Sequence, residues 1–306
     1  PRKLPTLKQP TSPALPQQPL LHISLPRAGA LTDLLLAPVQ AAPDEKALNR
    51  ARNHVVYQLQ RASIAMSPGS QIRIDPFRIE KVLATPYRPD PDDGAFSPSP
   101  AACRRAIGTE AVALCQREIG VSPAQAVSRI LDSAQSPGTR PAGSTWWHQW
   151  FRRLAFGAKV TVQAESTTWA TQMRGALDWE RFETEPVIGR DYRWECPGSK
   201  RITIHAKVDV CSQVEGRPVF FLVSTGVANE HWTASLALPA LCAGLVGGAA
   251  AVPARVVGLW PASGQVRAIS LDDTTIEMAA KAVATAGLSL ARFGRQAGNR
   301  PQVERL

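Results

Sequence analysis

Polar residues alternate with apolar ones between positions 202 and 210, which places several reactive side-chain types on one face. His205, Lys207 and Asp209 fall between apolar residues at every even position. This period of two predicts a half-buried β-strand. On its polar face, Lys207 could supply positive charge beside Asp209, and His205 could act as a general base. The alternative is a histidine that only packs and an aspartate that is only a surface carboxylate. The apolar run at 219–223 predicts a second strand, covered on both faces.

Short sequences on these strands and on the next predicted helix resemble the motifs of one nuclease superfamily. AKVD stands at 206–209, LVSTG at 222–226 and SLALP at 235–239. In the RecB-type branch of the PD-(D/E)XK nuclease superfamily, the matching motifs are G-R-x-D, D-x-K-T-G and Q-L-x-x-Y. The chain resembles that branch over about residues 145–292, in the order helix, three-stranded meander, helix and strand. The resemblance implies an α+β fold with a mixed central sheet flanked by helices, a restriction-endonuclease-like core.

The same resemblance implies metal chemistry that this chain keeps only in part. In the family, two strand carboxylates bind a divalent cation, which activates the attacking water, and a lysine orients that water. Asp209 matches the first carboxylate, whereas Leu222 occupies the position of the second acid and Ser224 that of the lysine. Ser235 replaces the motif glutamine. Glu165, on a helix predicted at 159–177, is the candidate for a further upstream acid, and with Asp209 it could hold one weakly bound cation.

Three hypotheses for function follow from this pattern. The first is a catalytically degenerate nuclease-like protein that binds DNA, or scaffolds a DNA-processing complex with other subunits, without cutting and without a cofactor. The second is a magnesium-dependent deoxyribonuclease with displaced catalytic residues, in which Asp209 and Glu165 bind the metal and Lys207 supplies the positive charge. The third is a protein-interaction scaffold with no role on nucleic acid, which docks through its proline-rich arm or its tryptophan helix.

The charge of the chain favours a polyanionic partner. The formal net charge is +10 and the pI is about 9.8, and basic side chains on a nucleic acid release condensed counterions. The candidate residues for nucleic-acid binding are Arg152, Arg153, Lys207 and Arg217. The alternative is a compositional bias toward arginine, alanine and proline, with no binding role.

The densest aromatic cluster lies at 145–153, at the start of the predicted nuclease-like domain. It contains Trp146, Trp147, Trp150 and Phe151, followed by Arg152. On a helix these aromatic side chains share one face, which favours packing in the core. The alternative is a platform on which single-stranded bases stack beside arginines.

The cysteines and the apolar segments indicate a cytoplasmic protein that does not enter a membrane. The five cysteines form no C-x-x-C pair and are odd in number, so we expect reduced thiols. No signal peptide is visible. Residues 232–254 carry no charge, but their glycines and proline favour a buried helix followed by an apolar loop over a membrane span.

Composition divides the chain into four predicted parts. Residues 1–43 form a proline-rich flexible arm, 44–144 a mostly helical N-terminal region, 145–292 the nuclease-like domain and 293–306 a basic tail. Within the second part, 71–83 is predicted as a short strand pair. Within the third, 255–260 and 265–271 are predicted as a hairpin.

Overall fold

The structure is a computed structural model of the chain. It describes residues 28–38, 43–84, 100–135, 147–182, 185–199, 201–224, 228–260 and 264–298. Most of the predicted arm, the end of the predicted basic tail, Trp146 and the last residues of the 222–226 motif lie outside the described residues.

The described residues form helices and strands in the order that the sequence predicts for 145–292. The helices are α1 Ala28–Leu36, α2 Glu45–Ile64, α3 Pro76–Ala84, α4 Pro100–Arg117, α5 Pro123–Gln135, α6 His148–Arg153, α7 Phe156–Ala176, α8 Trp232–Gly247 and α9 Asp273–Gly298. The strands are β1 Ile72–Ile74, β2 Val187–Glu195, β3 Ile202–Val214, β4 Arg217–Val223, β5 Arg255–Trp260 and β6 Gln265–Ser270.

The strands form one mixed sheet with β3 at its branching point. Strand β2 pairs antiparallel along one edge of β3, and β1 and β4 lie end to end along the other edge. β4 pairs parallel with β5, which continues into β6 as the predicted hairpin. Because β1 pairs with 202–204 and β4 with 210–214, a gap in the pairing opens beside the middle of β3.

Helices cover both faces of this sheet, because strands such as β4 present apolar side chains on both faces. Phe220 and Leu222 point into a core with α2, α3, α8 and α9, while Val219, Phe221 and Val223 point into a second core with α1, α4, α5, α6 and α7. The prediction of a mixed central sheet flanked by helices is confirmed. Helices of the predicted N-terminal region, α2 to α5, contribute to both layers.

The segment at 71–83 differs from its prediction as a strand pair. It forms the short strand β1 and then helix α3. The Asp75 side chain accepts a hydrogen bond from the Arg78 backbone N–H at 3.0 Å, and Pro76 is the first helical residue. An aspartate N-cap followed by proline starts a helix, and this local signal outweighs the alternation before it.

The uncharged segment at 232–254 contains the buried helix that the sequence predicts. Helix α8 is buried on all sides from Ala234 to Leu245 and packs between the sheet and α9. Across the described ranges, no helix combines the length and the apolarity that a bilayer span requires.

Arginine side chains hold several helix ends from inside the fold. Arg255 donates to two carbonyl oxygens at the end of α1, each at 2.8 Å. Arg52 does the same for α8, Arg201 for α2 and Arg152 for α5. The last carbonyls of a helix have no partner within it, and a guanidinium with five N–H donors can satisfy several of them.

Candidate functional site

Asp209 lies where strands β3 and β4 separate. Its side chain is 0% exposed, and it stands one position beyond the last paired residues, Val210 and Phe221. The backbone N–H of Val223 donates to Asp209 Oδ2 at 2.7 Å. The carboxylate thus takes a β4 donor beyond the end of the paired ladder, and it fixes the end of β4 to the middle of β3.

Helix α4 supplies the positive charge that faces this carboxylate. Arg105 Nε donates to Asp209 Oδ1 at 3.0 Å, and Arg105 Nη2 donates to Oδ2. This is the two-point arrangement in which a planar guanidinium matches a carboxylate. With the Val223 bond, both oxygens of Asp209 accept hydrogen bonds. The Arg105 guanidinium lies on the side of the carboxylate where a metal ligand would bind its cation.

Glu165, the second predicted acid, forms an ion pair with Arg104, the residue of α4 that precedes Arg105. It lies midway along α7 with its side chain 46% exposed, and its Oε2 accepts from Arg104 Nη1. Two successive arginines of one helix therefore each pair with one of the two predicted metal ligands.

Leu222 and Ser235, which stand at two further motif positions, lie on the α8 side of the sheet. Leu222 is buried in the core beside α8. Ser235 is also buried and hydrogen-bonds to Glu80 of α3, which accepts a second bond from Asn229 Nδ2 at 3.1 Å. Burial raises the pKa of Glu80, against the opposing effects of these hydrogen bonds and of His231.

His205 has a partner on each ring nitrogen. Arg73 of β1 contacts Nδ1, and Asp191 Oδ1 lies 3.7 Å from Nε2. Because arginine only donates, Nδ1 must accept, so the proton of the neutral ring sits on Nε2. Burial, followed by the charge of Arg73, lowers the pKa of His205. The lowered pKa favours the neutral ring, and its lone pair on Nδ1 faces Arg73 and is not free to accept a proton.

The predicted nucleic-acid-binding residues do not form one patch. Lys207 is half-buried opposite Asp191 of β2, and Arg217 begins β4 opposite Val214. Seven residues of extended β3 separate those two places, about 23 Å at 3.3 Å per residue. Arg152 and Arg153 instead end the short helix α6.

The predicted magnesium ligands do not fit a magnesium site in their present arrangement. Among the residues that the structure describes, no group of three or more His, Cys, Asp or Glu side chains could hold a metal ion. Asp209 and Glu165 each face an arginine. Magnesium needs several oxygen ligands in near-octahedral geometry, which this pair does not offer.

The cysteines do not provide a nucleophile. All five are free and buried, and burial raises the pKa of Cys103 to about 11 and that of Cys242 to about 12. A thiol must ionise to react, so these side chains belong to the packing.

Sequence reasoning found Asp209 and Glu165 but missed their arginine partners. Arg104 and Arg105 fall within a helix that the sequence does predict, and the only signal is a charged pair flanked by Cys103, Ala106 and Ile107, which are buried. Glu80 was missed because its segment was predicted as strand.

Comparison of the chain with models of protein families, with curated proteins and with solved structures finds no match. The functional interpretation consequently depends on the geometry of the described residues.

Proposed function

We propose that this protein is a nuclease-like domain that has lost its metal site and that binds DNA, or scaffolds a DNA-processing complex, without cutting. The observation that carries the proposal is the buried pair of Asp209 with Arg105. The aspartate occupies the fork between two central strands, where the resemblance places a metal ligand. A guanidinium then neutralises it from within the same chain.

The order of elements supports the nuclease-like part of the proposal. Helix α7, the meander β2–β4, helix α8 and strand β5 follow one another around a mixed sheet. Leu222 at the expected position of the second acid is buried in apolar surroundings. A leucine side chain cannot bind a cation.

The charge of the chain supports binding. Internal ion pairs and arginine–carbonyl contacts leave the net charge of +10 unchanged. A protein with this excess attracts a polyanion through counterion release, and that attraction weakens as salt is added. Because the proposal involves no metal, binding should not require magnesium and should persist in a chelator.

The test combines cleavage and binding on the full chain. Labelled single-stranded and double-stranded DNA are incubated with the parent in magnesium, in manganese and in EDTA. We expect no metal-dependent cutting, and an affinity that falls as salt is added and that persists in EDTA.

Two variants separate the proposal from its alternatives. Metal-dependent cutting by the parent that is lost in both Glu165→Ala and Asp209→Asn would identify a nuclease with displaced residues. Cutting that persists in both variants would indicate a contaminating enzyme, and repurification should remove it. If DNA affinity is unmeasurable even at low salt, the DNA-binding part of the proposal is wrong and a protein scaffold remains.

A further inference from the structure

The corner between α6 and α7 combines exposed apolar side chains with basic ones. Phe156, the first residue of α7, is 83% exposed, and Val160, one turn later, is 51% exposed. Arg153 at the end of α6 is exposed too, and Lys159 lies between the two apolar residues in sequence. Single exposed apolar residues are ordinary, so the combination matters more than the phenylalanine alone.

The neighbouring aromatic residues do not share this exposure. Trp147 and Phe151 are buried, as the helical spacing of the cluster predicts. Trp147 Nε1 donates to Glu110 Oε1 at 3.2 Å, and Lys159 Nζ lies 5.6 Å from the centroid of the Phe151 ring. The buried aromatics thus anchor the corner, while the Phe156 ring faces solvent.

The sequence around this corner contains basic residues but no acidic ones. No aspartate or glutamate occurs from 133 to 164, whereas the same stretch contains Arg140, Arg152, Arg153 and Lys159. The acidic side chains Asp209, Glu165 and Asp75, by contrast, each pair with an arginine.

We infer that the surface formed by Arg153, Phe156, Lys159 and Val160, called the α7 corner below, binds single-stranded nucleic acid. This inference rests on the proposed function and names the surface and the form of nucleic acid. The ring of Phe156 stacks on an unpaired base, and Arg153 and Lys159 contact the adjacent phosphates. Val160, about 6 Å further along the helix axis, contacts the next base or sugar.

Two physical points favour this occupant. A duplex hides the faces of its bases, so an exposed aromatic ring gains little from it, whereas every unpaired base offers a face for stacking. A membrane surface would need an apolar face that continues along the helix. The next exposed positions of α7 are polar, charged or small, so the apolar area ends after one turn: Thr161, Gln163, Ala164, Glu165 and Thr168.

Helix α2 provides a matched control. Tyr57 is an exposed aromatic residue, 58% accessible, and Arg61 lies over its ring at 5.6 Å from the centroid. That ring face is already covered by its own arginine, and α2 packs on the other side of the sheet. Tyr57→Ala removes a comparable ring without touching the α7 corner.

The experiment measures binding of a labelled oligothymidylate and of a labelled hairpin duplex by fluorescence anisotropy, at low and at moderate salt. Phe156→Ala should weaken binding of the single strand by roughly 5- to 150-fold, the range for loss of one stacked base. Phe156→Tyr should keep the affinity, and Tyr57→Ala should not change it. Arg153→Gln and Lys159→Gln should each lower the salt slope by about 0.7 on a single strand.

Four outcomes would overturn the inference. If Phe156→Ala equals Tyr57→Ala in effect, or if the parent prefers the duplex, the proposed function stands while the α7 corner is wrong. Anionic vesicles that bind the parent and lose that binding in Phe156→Ala would assign the corner to a membrane surface. Absence of any nucleic-acid binding at low salt removes the proposed function as well. Unchanged thermal unfolding of the variants checks that they fold.

Discussion

Replacing Arg105 with methionine should destabilise the protein far more than its partly exposed position suggests. The side chain of Arg105 is 28% exposed, but that of its partner Asp209 is 0% exposed. Methionine has a similar length and no donors, so the substitution leaves the Asp209 carboxylate with only the Val223 N–H. Removing one member of a buried ion pair leaves an uncompensated charge, which costs about 3–5 kcal/mol.

Substitution of the other partner, Asp209, should lower the free energy of unfolding by less. The difference between the two losses identifies which partner is buried. Asp209→Asn keeps an oxygen for the Val223 N–H, and the guanidinium that it leaves behind can turn toward water. We expect a loss of about 1–3 kcal/mol. The double variant Arg105→Met/Asp209→Asn has no buried charge, so it should be more stable than Arg105→Met alone, with an interaction energy of about 1–3 kcal/mol.

Urea unfolding followed by tryptophan fluorescence measures these differences, provided that the m-value does not change. The matched control is Arg104→Met, since its partner Glu165 is 46% exposed, and an exposed pair contributes about 0–1 kcal/mol. If Arg105→Met costs no more than Arg104→Met, Asp209 is not held as a buried charge. The reasoning would also be refuted if Asp209→Asn cost more than Arg105→Met.

Two further substitutions probe the layers around the site. Burial raises the pKa of Glu80, so the folded protein keeps this proton to a higher pH than the unfolded chain does, and stability is lost as pH rises through the folded pKa. Glu80→Gln should therefore raise the melting temperature at pH 7 and give no gain near pH 4; a gain that is equal at both pH values would contradict this. Gly108 of α4 faces Trp169 of α7, whose ring would overlap a Cβ added at Gly108. Gly108→Ala should cost about 1–3 kcal/mol in urea unfolding, whereas Gly175→Ala, with no atom within 4 Å of the added Cβ, should be neutral or slightly stabilising; equal effects would show that α4 and α7 do not approach so closely.

The parts of the fold that sequence predicted are those with a strong local pattern. The alternation at 202–210 and the apolar run at 219–223 predict β3 and β4, and the uncharged segment after them predicts α8. Strand β1 has only three residues, and its partner in β3 is about 130 positions away. The alternation within 71–83 predicts a strand there, but it cannot indicate the parallel pairing with β3, because that pairing depends on where α2 and α3 place the strand.

The alternation predicts the face of β3 on which Asp209 lies, but not the contacts that Asp209 makes. Alternation put Asp209 on the polar face of β3, and a strand alone would leave that face to solvent. Helix α4 covers it instead, and the burial of Asp209 follows from a helix that lies about 100 residues earlier in the chain. The pairing with Arg105 depends on the packing of α4 and α7 together, for which no short motif exists.

Arginine shows most clearly why total charge is a poor guide to a binding surface. Arg255, Arg201 and Arg52 donate to carbonyl groups at helix ends, and Arg105 donates to a buried carboxylate. Each keeps its charge, yet the N–H groups that donate to these oxygens are occupied, and a phosphate could use them only by breaking those contacts. Long-range attraction to a polyanion then depends on the whole net charge of +10, while close contact depends on exposed basic side chains that lie near one another. Contact of Arg153 and Lys159 with two phosphates implies a salt slope of about −1.4 on a single strand. A much steeper slope would mean that basic side chains outside the α7 corner also contact phosphates.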